Sequence, residues 1–176
     1  MYFKLIGDHV IYLVLYVDDM LLLGNDKEII QDLKTHLSSK FDMKYLGVAN
    51  YILGMEIKRD QTKRKLWLNH RKYVETILQR FNMHDSKPMK VPIPVGVKLS
   101  AEQCPKTQEE EEDMSNVPYA SAVGSLMYAM VCTRPHIAHV VGVLSKFMSK
   151  LGKENWTTVK WVFRYLRGTS DYGLCY

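Results

Sequence analysis

Two adjacent carboxylates, Asp18 and Asp19, carry the most pointed chemistry in the sequence. They follow the apolar run 10–17 and precede the apolar run 20–23, which puts them at a tight turn between two β-prone segments. Hard oxygen donors of this kind suit Mg²⁺, which takes one or two protein carboxylates and fills its shell with water and substrate phosphates. Mn²⁺ accepts the same donors. In phosphoryl transfer two such ions, about 4 Å apart, clamp the attacking and leaving oxygens. Asp is also a common turn residue, so turn chemistry alone is the competing reading of the dipeptide. Other acids do not easily join the pair. Asp8 lies ten residues up the strand, about 30 Å away at ~3.3 Å per residue. Asp26 opens the next helix, also remote from the turn, whereas Glu56 stays open as a ligand because it lies on a separate strand.

A second constellation is basic. Residues 58–90 hold ten Lys and Arg against three Asp and Glu, and Lys63, Arg64, Lys65, Arg71 and Lys72 surround Leu66-Trp67-Leu68-Asn69. Such a hairpin offers sequence-independent, salt-sensitive phosphate contacts, or else is an ordinary solvated surface. Trp67 is either a base-stacking residue or a core residue. Lys146, Lys150, Lys153, Lys160, Arg164 and Arg167 form either a further basic face or a plain helix surface. The six histidines have no zinc-ligand spacing, and the sequence holds no nucleophile–base arrangement and no phosphate-cradling glycine loop. Cys104, Cys132 and Cys175 are an odd, widely spaced set, which speaks against a disulfide framework and for a reducing, intracellular setting, cytoplasmic or nuclear.

The elements that position these groups follow from periodicity. The 176 residues, 47% hydrophobic and 24% charged, suffice for one ordinary domain or for a domain core plus an appendage, and argue against disorder. No apolar run reaches the ~20 residues of a membrane span, and no signal peptide is expected. Residues 2–6, 10–16 and 20–23 read as an antiparallel meander, and 27–41 as a helix capped by Gly24-Asn25-Asp26, with Ile29, Ile30, Leu33, Leu37 and Phe41 on one face. Residues 51–57 and 65–69 read as two more strands, followed by a helix bearing Tyr73, Ile77, Leu78 and Phe81. Pro88, Pro92, Pro94 and the acidic run 109–113 predict an extended, mobile linker over 84–117. Three helices complete the pattern. The first buries Ala122, Val123, Leu126, Met127 and Met130, the second Ile137, Val140, Val141, Leu144 and Phe147. The third, capped by Asn155 and ended by Gly168, buries Trp156, Val159, Phe163 and Leu166. Residues 172–176 begin a strand. The class is α+β.

Tyr16-Val17-Asp18-Asp19 resembles the catalytic turn of reverse transcriptases. Leu46-Gly47, Leu53-Gly54-Met55-Glu56-Ile57, the stretch from Leu68 to Tyr73, the stretch from Tyr119 to Ala129, Thr133-Arg134-Pro135 and the stretch from Arg164 to Thr169 resemble the copia-type retrotransposon branch. The resemblance covers nearly the whole chain. It implies an RNA-directed DNA polymerase within a Pol polyprotein, with RNA template, DNA primer and dNTP as partners and Mg²⁺ or Mn²⁺ held by Asp18 and Asp19. It implies nucleic-acid contacts from Tyr16, Lys65, Trp67, Arg71 and Lys72, with residues 66–69 in the hairpin that grips the primer. Residues 1–70 then correspond to a partial palm, 71–83 to a thumb-type helix, and 118–176 to a helical connection before an absent ribonuclease H domain. The fingers and the first catalytic aspartate of the family precede this stretch, so the chain alone is expected to be inactive. His136 stands where the family usually has Asp, at an expected helix start where losing a carboxylate costs under about 1 kcal/mol. A catalytically incomplete polymerase, a non-catalytic nucleic-acid-binding remnant and a transposon relic are the readings left open. Unpaired apolar strand edges predict poor solubility for the chain by itself.

Overall fold

A computed structural model describes residues 1–149 and 151–176, and its α+β class agrees with the sequence pattern. Met1–Ala49 forms one compact unit and Asn50–Tyr176 a second, so the expected segment 1–70 spans both. In the first unit β1 (Tyr2–Ile6), β2 (His9–Tyr16) and β3 (Asp19–Gly24) make an antiparallel meander in that order. Cross-strand pairs Ile6↔His9 and Tyr16↔Asp19 leave two residues in each turn. Gly7, at φ +59°, supplies the left-handed residue of the first turn.

Helix α1 (Lys27–Ser38) starts at Asp26, whose carboxylate accepts the Glu28 and Ile29 amides at 2.8 and 3.1 Å. The Ile29 amide foremost holds the Asp26 carboxyl below its usual range, and His9 at 3.3 Å adds to this. The helix ends before the expected Phe41, because the Ser39 hydroxyl donates to the His36 carbonyl and closes the last turn. Phe41 is exposed as a result. The strands around the aspartates are largely open to solvent: among the described residues of this unit Ile11 alone is buried, while Tyr2, Phe3 and Leu5 are exposed.

The second unit combines a four-stranded antiparallel sheet with a helical core. β4 (Tyr51–Ile52), β5 (Met55–Asp60), β6 (Lys65–Asn69) and β7 (Gly173–Cys175) lie in the order β4-β5-β6-β7. The single strand expected over 51–57 is thus a hairpin. Leu53 and Gly54 both take positive φ, 51° and 76°, as a two-residue primed turn requires.

The helices are α2 (Arg71–Arg80), α3 (Gln108–Ser115), α4 (Tyr119–Cys132), α5 (Ala138–Ser145) and α6 (Lys153–Gly168). Val74 and Ile77 of α2, Leu126 of α4, Leu144 of α5, and Phe163 and Leu166 of α6 meet in one core, with Phe163 stacked on Phe81 at 5.0 Å. The α4 stripe is rotated from expectation: Ala129 is buried while Met127 is 43% exposed. Phe147 lies past the end of α5 and is half-buried. Gly152, not Asn155, caps α6. Asn155 sits at the third helical position and accepts the Gly152 amide at 3.0 Å. His136 lies in a short 3₁₀ turn, Pro135–Ile137, ahead of α5 rather than at its first residue.

Residues 84–117 differ from an extended linker in two ways. Their acidic run forms α3, capped by Thr107, whose hydroxyl accepts the Glu110 amide at 3.3 Å. Their first part is tied to α6: the Met89 amide donates to the Arg164 carbonyl, and Arg164 and Arg167 donate to the carbonyls of Lys87 and Ser86.

His70, fully buried between β6 and α2, stacks on Tyr73 at 4.6 Å and meets Tyr128 at 5.4 Å. Burial pushes its imidazole pKa below 6.5, the Arg134 charge adds to that, and the nearby Leu53 backbone opposes it. The unfolded chain therefore binds a proton near pH 6.5 that the folded unit refuses. Stability conferred by neutral His70 is complete above pH 6.5 and declines as pH falls below it. His70→Phe should flatten the acid side of the stability–pH profile, read from urea midpoints between pH 7 and 5. An unchanged acid slope would show that His70 titrates normally in the fold.

Candidate functional site

The turn joining β2 to β3 consists of Val17 and Asp18, closed by the pair Tyr16↔Asp19. Asp19 opens β3, so the two carboxylates stand at one end of the meander, and both are exposed. Tyr16 is directly across from Asp19 and shares its face of the sheet. Val17 carries φ +51°, a left-handed conformation that a β-branched side chain strongly disfavours. Backbone strain is therefore stored at the residue immediately before the carboxylates. Val17→Gly is expected to stabilise this hairpin by about 1 kcal/mol, strain relief outweighing the added freedom of the unfolded chain. Slower hydrogen exchange at Val14 and Leu21 would read it out, and faster exchange would refute it.

Asp8 and Asp26 do not approach this turn. His9, at the far end of β2, pairs with Asp26, and the Asn25 side chain bridges the Asp8 carbonyl and the Val10 amide. Glu56 lies on β5 in the second unit. Among the described residues no three His, Cys, Asp or Glu side chains are grouped to hold a metal ion. The donors that are present, two adjacent exposed carboxylates, match the one or two protein ligands that Mg²⁺ or Mn²⁺ accepts.

The basic constellation belongs to the second unit. Pairing of Ile57 with Leu68 and of Leu68 with Leu174 defines the inner face of the sheet, where Ile57 is buried. Side chains alternate along a strand, so the row Lys58, Trp67, Cys175 and the row Tyr51, Glu56, Asn69 occupy the outer face. Trp67 is half-buried there, on the face away from Ile57. Lys65 lies on the same outer face and is exposed. Lys72 sits 5.0 Å from the Tyr51 ring centre. Arg71 is committed locally, its Nε 2.8 Å from the Glu75 carboxylate. Asp60 organises the β5–β6 turn by accepting the Thr62 hydroxyl and the Lys63 amide, and those bonds hold its carboxyl below the usual range. Residue type and spacing alone do not single out Tyr51 or Lys58. The alternation from buried Ile57 is the signal that places Lys58 beside Trp67.

The second basic set disperses. Arg164 and Arg167 hold backbone carbonyls, Lys153 pairs with Asp113 at 3.2 Å, and Lys160 lies over Trp156 at 5.6 Å. Lys146 is exposed, and Lys150 lies outside the described residues. These groups serve the helix surface and its neighbours. The three cysteines form no disulfide, and among the described residues no helix is long and apolar enough to cross a membrane.

Residues 1–95 match the family described as reverse transcriptase (RNA-dependent DNA polymerase). The chain is 57% identical over 176 residues to the retrovirus-related Pol polyprotein from transposon TNT 1-94 of Nicotiana tabacum, covering 99% of this chain and 13% of that protein. It is 36% identical over 168 residues to the corresponding polyprotein from transposon RE1 of Arabidopsis thaliana, covering 96% of this chain and 11% of that protein. An uncharacterized mitochondrial protein of Arabidopsis thaliana is 37% identical over 163 residues, covering 93% of this chain and 64% of that protein. No solved structure matches the chain.

Proposed function

The chain belongs to the reverse transcriptases of copia-type retrotransposon Pol polyproteins, and from that premise we propose that it provides the metal-binding turn and a primer-gripping hairpin of an RNA-directed DNA polymerase. The observation that carries this is the two-residue turn closed by Tyr16↔Asp19, which presents Asp18 and Asp19 together at the open end of a hairpin. β1, β2 and β3 act as the later part of a palm, α2 as a thumb-type helix, and residues 118–176 as a connection segment. RNA template, DNA primer and dNTP are the partners, and the rest of the polyprotein supplies the remaining active-site groups.

Asp18 and Asp19 would hold the ions. A bound Mg²⁺ or Mn²⁺ would supply Lewis-acid stabilisation of the charge that develops as a primer 3′-hydroxyl displaces pyrophosphate from an incoming nucleotide's α-phosphate. The protein's own part at this turn is to present two carboxylates together on a strained two-residue turn. On the second unit, Lys58, Lys65 and Lys72 contact phosphates, and Trp67, with Tyr51 beside Lys72, offers ring faces to bases. Residues 1–176 by themselves bring two ligands, too few for the full two-ion arrangement, so they bind nucleic acid without polymerising.

Fluorescence anisotropy on an RNA–DNA primer–template, titrated with salt, tests this. Binding should weaken as salt rises, Lys65→Ala should reduce the log–log salt slope by about one, and Trp67→Ala should cost about 1–3 kcal/mol. Folded protein that shows no salt-dependent binding would remove the primer-gripping role and leave the relic reading in front.

A further inference from the structure

Among the described residues Arg134 is the largest fully buried side chain, yet its Nε and Nη1 have no hydrogen-bond partner there. Burying a guanidinium so thinly satisfied is costly, which directs attention to the contacts it does make. Those contacts converge on one short segment. Its Nη2 donates to the Ser170 carbonyl at 3.0 Å, and its guanidinium lies 5.9 Å from the Tyr172 ring centre. The Asp171 carbonyl, between the two, accepts the Asn69 side-chain amide at 2.9 Å.

The chain then enters β7, where Gly173, Leu174 and Cys175 pair with Asn69, Leu68 and Trp67. Tyr176 and Leu66 exchange both backbone hydrogen bonds, at 2.8 and 2.9 Å. Gly173 is required by contact as well as by pairing, because a Cβ added there would stand 2.5 Å from the Leu68 carbonyl oxygen. β6, the strand that carries Lys65 and Trp67, therefore has β5 on one edge and this strap on the other.

We infer that the strap 170–176, pinned by Arg134, positions β6 so that Trp67 and Lys65 meet nucleic acid, which makes Arg134 a positioning residue for the basic hairpin. The inference rests on the nucleic-acid reading of that hairpin. It also accounts for Thr133-Arg134-Pro135, since the motif ends α4 and its arginine reaches across to the segment that leads into the last strand of the sheet. Without the strap, β6 becomes a frayed edge and the row Lys58, Trp67, Cys175 loses one of its three strands.

The test uses the full chain with Arg134→Lys and, as a strap variant remote from the helical core, Gly173→Ala. Three readouts are taken: hydrogen exchange at the Leu66 and Tyr176 amides, exchange at Ile77 and Leu126 in the core, and anisotropy on an RNA–DNA primer–template. The expected result is lost protection at Leu66 and Tyr176, unchanged protection in the core, and affinity lowered about tenfold, the loss of one well-placed stacking contact. Trp67→Ala added to Gly173→Ala should then cost little more, because both remove the same contact. Should Arg134→Lys lose its melting transition, Gly173→Ala decides. Lost strap protection with unchanged affinity overturns the inference and spares the nucleic-acid reading, and so does intact strap protection. Failure of the unaltered protein to bind overturns both.

Discussion

Replacing Asp18 or Asp19 by Asn within the complete Pol polyprotein should lower DNA synthesis on the order of a thousandfold. A divalent ion stabilises transition-state charge by several kcal/mol, and each 1.36 kcal/mol is about tenfold in rate. Asn keeps the size and the turn propensity of Asp but presents a neutral oxygen, so the hairpin should survive while ion binding fails. Both residues are exposed on a turn held by Tyr16↔Asp19, so the loss is expected without unfolding. Single-nucleotide incorporation at saturating dNTP, with primer–template affinity measured alongside, is the decisive assay. Near-normal incorporation by either variant would remove that carboxylate from catalysis. A parallel loss of primer–template affinity would instead assign it to binding.

The largest stability effect is expected at Phe163. Its ring is fully buried and stacks on Phe81 at 5.0 Å with an interplanar angle of 23°. Phe163→Ala removes both the transfer free energy of the ring and the partner face of that stack, about 3–5 kcal/mol in all. Domains of this size have about 5–15 kcal/mol in total, so the second unit should sit near its unfolding threshold at 25 °C. A urea midpoint shift with constant m-value would measure it. A shift equivalent to less than about 1 kcal/mol would mean that the α2–α6 packing relaxes around the vacancy.

Much of the fold is written in local pattern. Gly7-Asp8 and Val17-Asp18 sit between alternating apolar runs, and Asp26 precedes an amphipathic stretch, so the first meander and the start of α1 are legible directly. The acidic α3 escapes the linker reading of 84–117 because an acidic run lacks hydrophobic periodicity, and its one local signal is Thr107 and Glu110, a capping pair. β7 is only hinted at: three residues have no period, and their partner strand is far away in sequence. Arg134 is legible as part of a motif but not as a buried group, because arginine's ordinary place is the surface. For the site, the Asp pair comes from residue type and spacing. The outer-face neighbours of Trp67 need the β5–β6 register before Tyr51 and Lys58 can join it.

The bond from Asn69 to the Asp171 carbonyl joins positions 102 residues apart, and this separation sets an order of events during synthesis. At about 5–20 residues per second, a ribosome that has just released β6 needs roughly 5–20 s to deliver its outer partner. Throughout that interval β5 and β6 make a hairpin with one bare edge, open to other nascent chains. Closing so long a loop costs little more free energy than closing one half its length, about 0.6 kcal/mol, but it must wait for the chain. The basic sheet is therefore among the last parts of the second unit to be completed, after α2 and α4 have had time to pair. A ribosome stalled between the release of β6 and the synthesis of Gly173 would display the hairpin without its final strand.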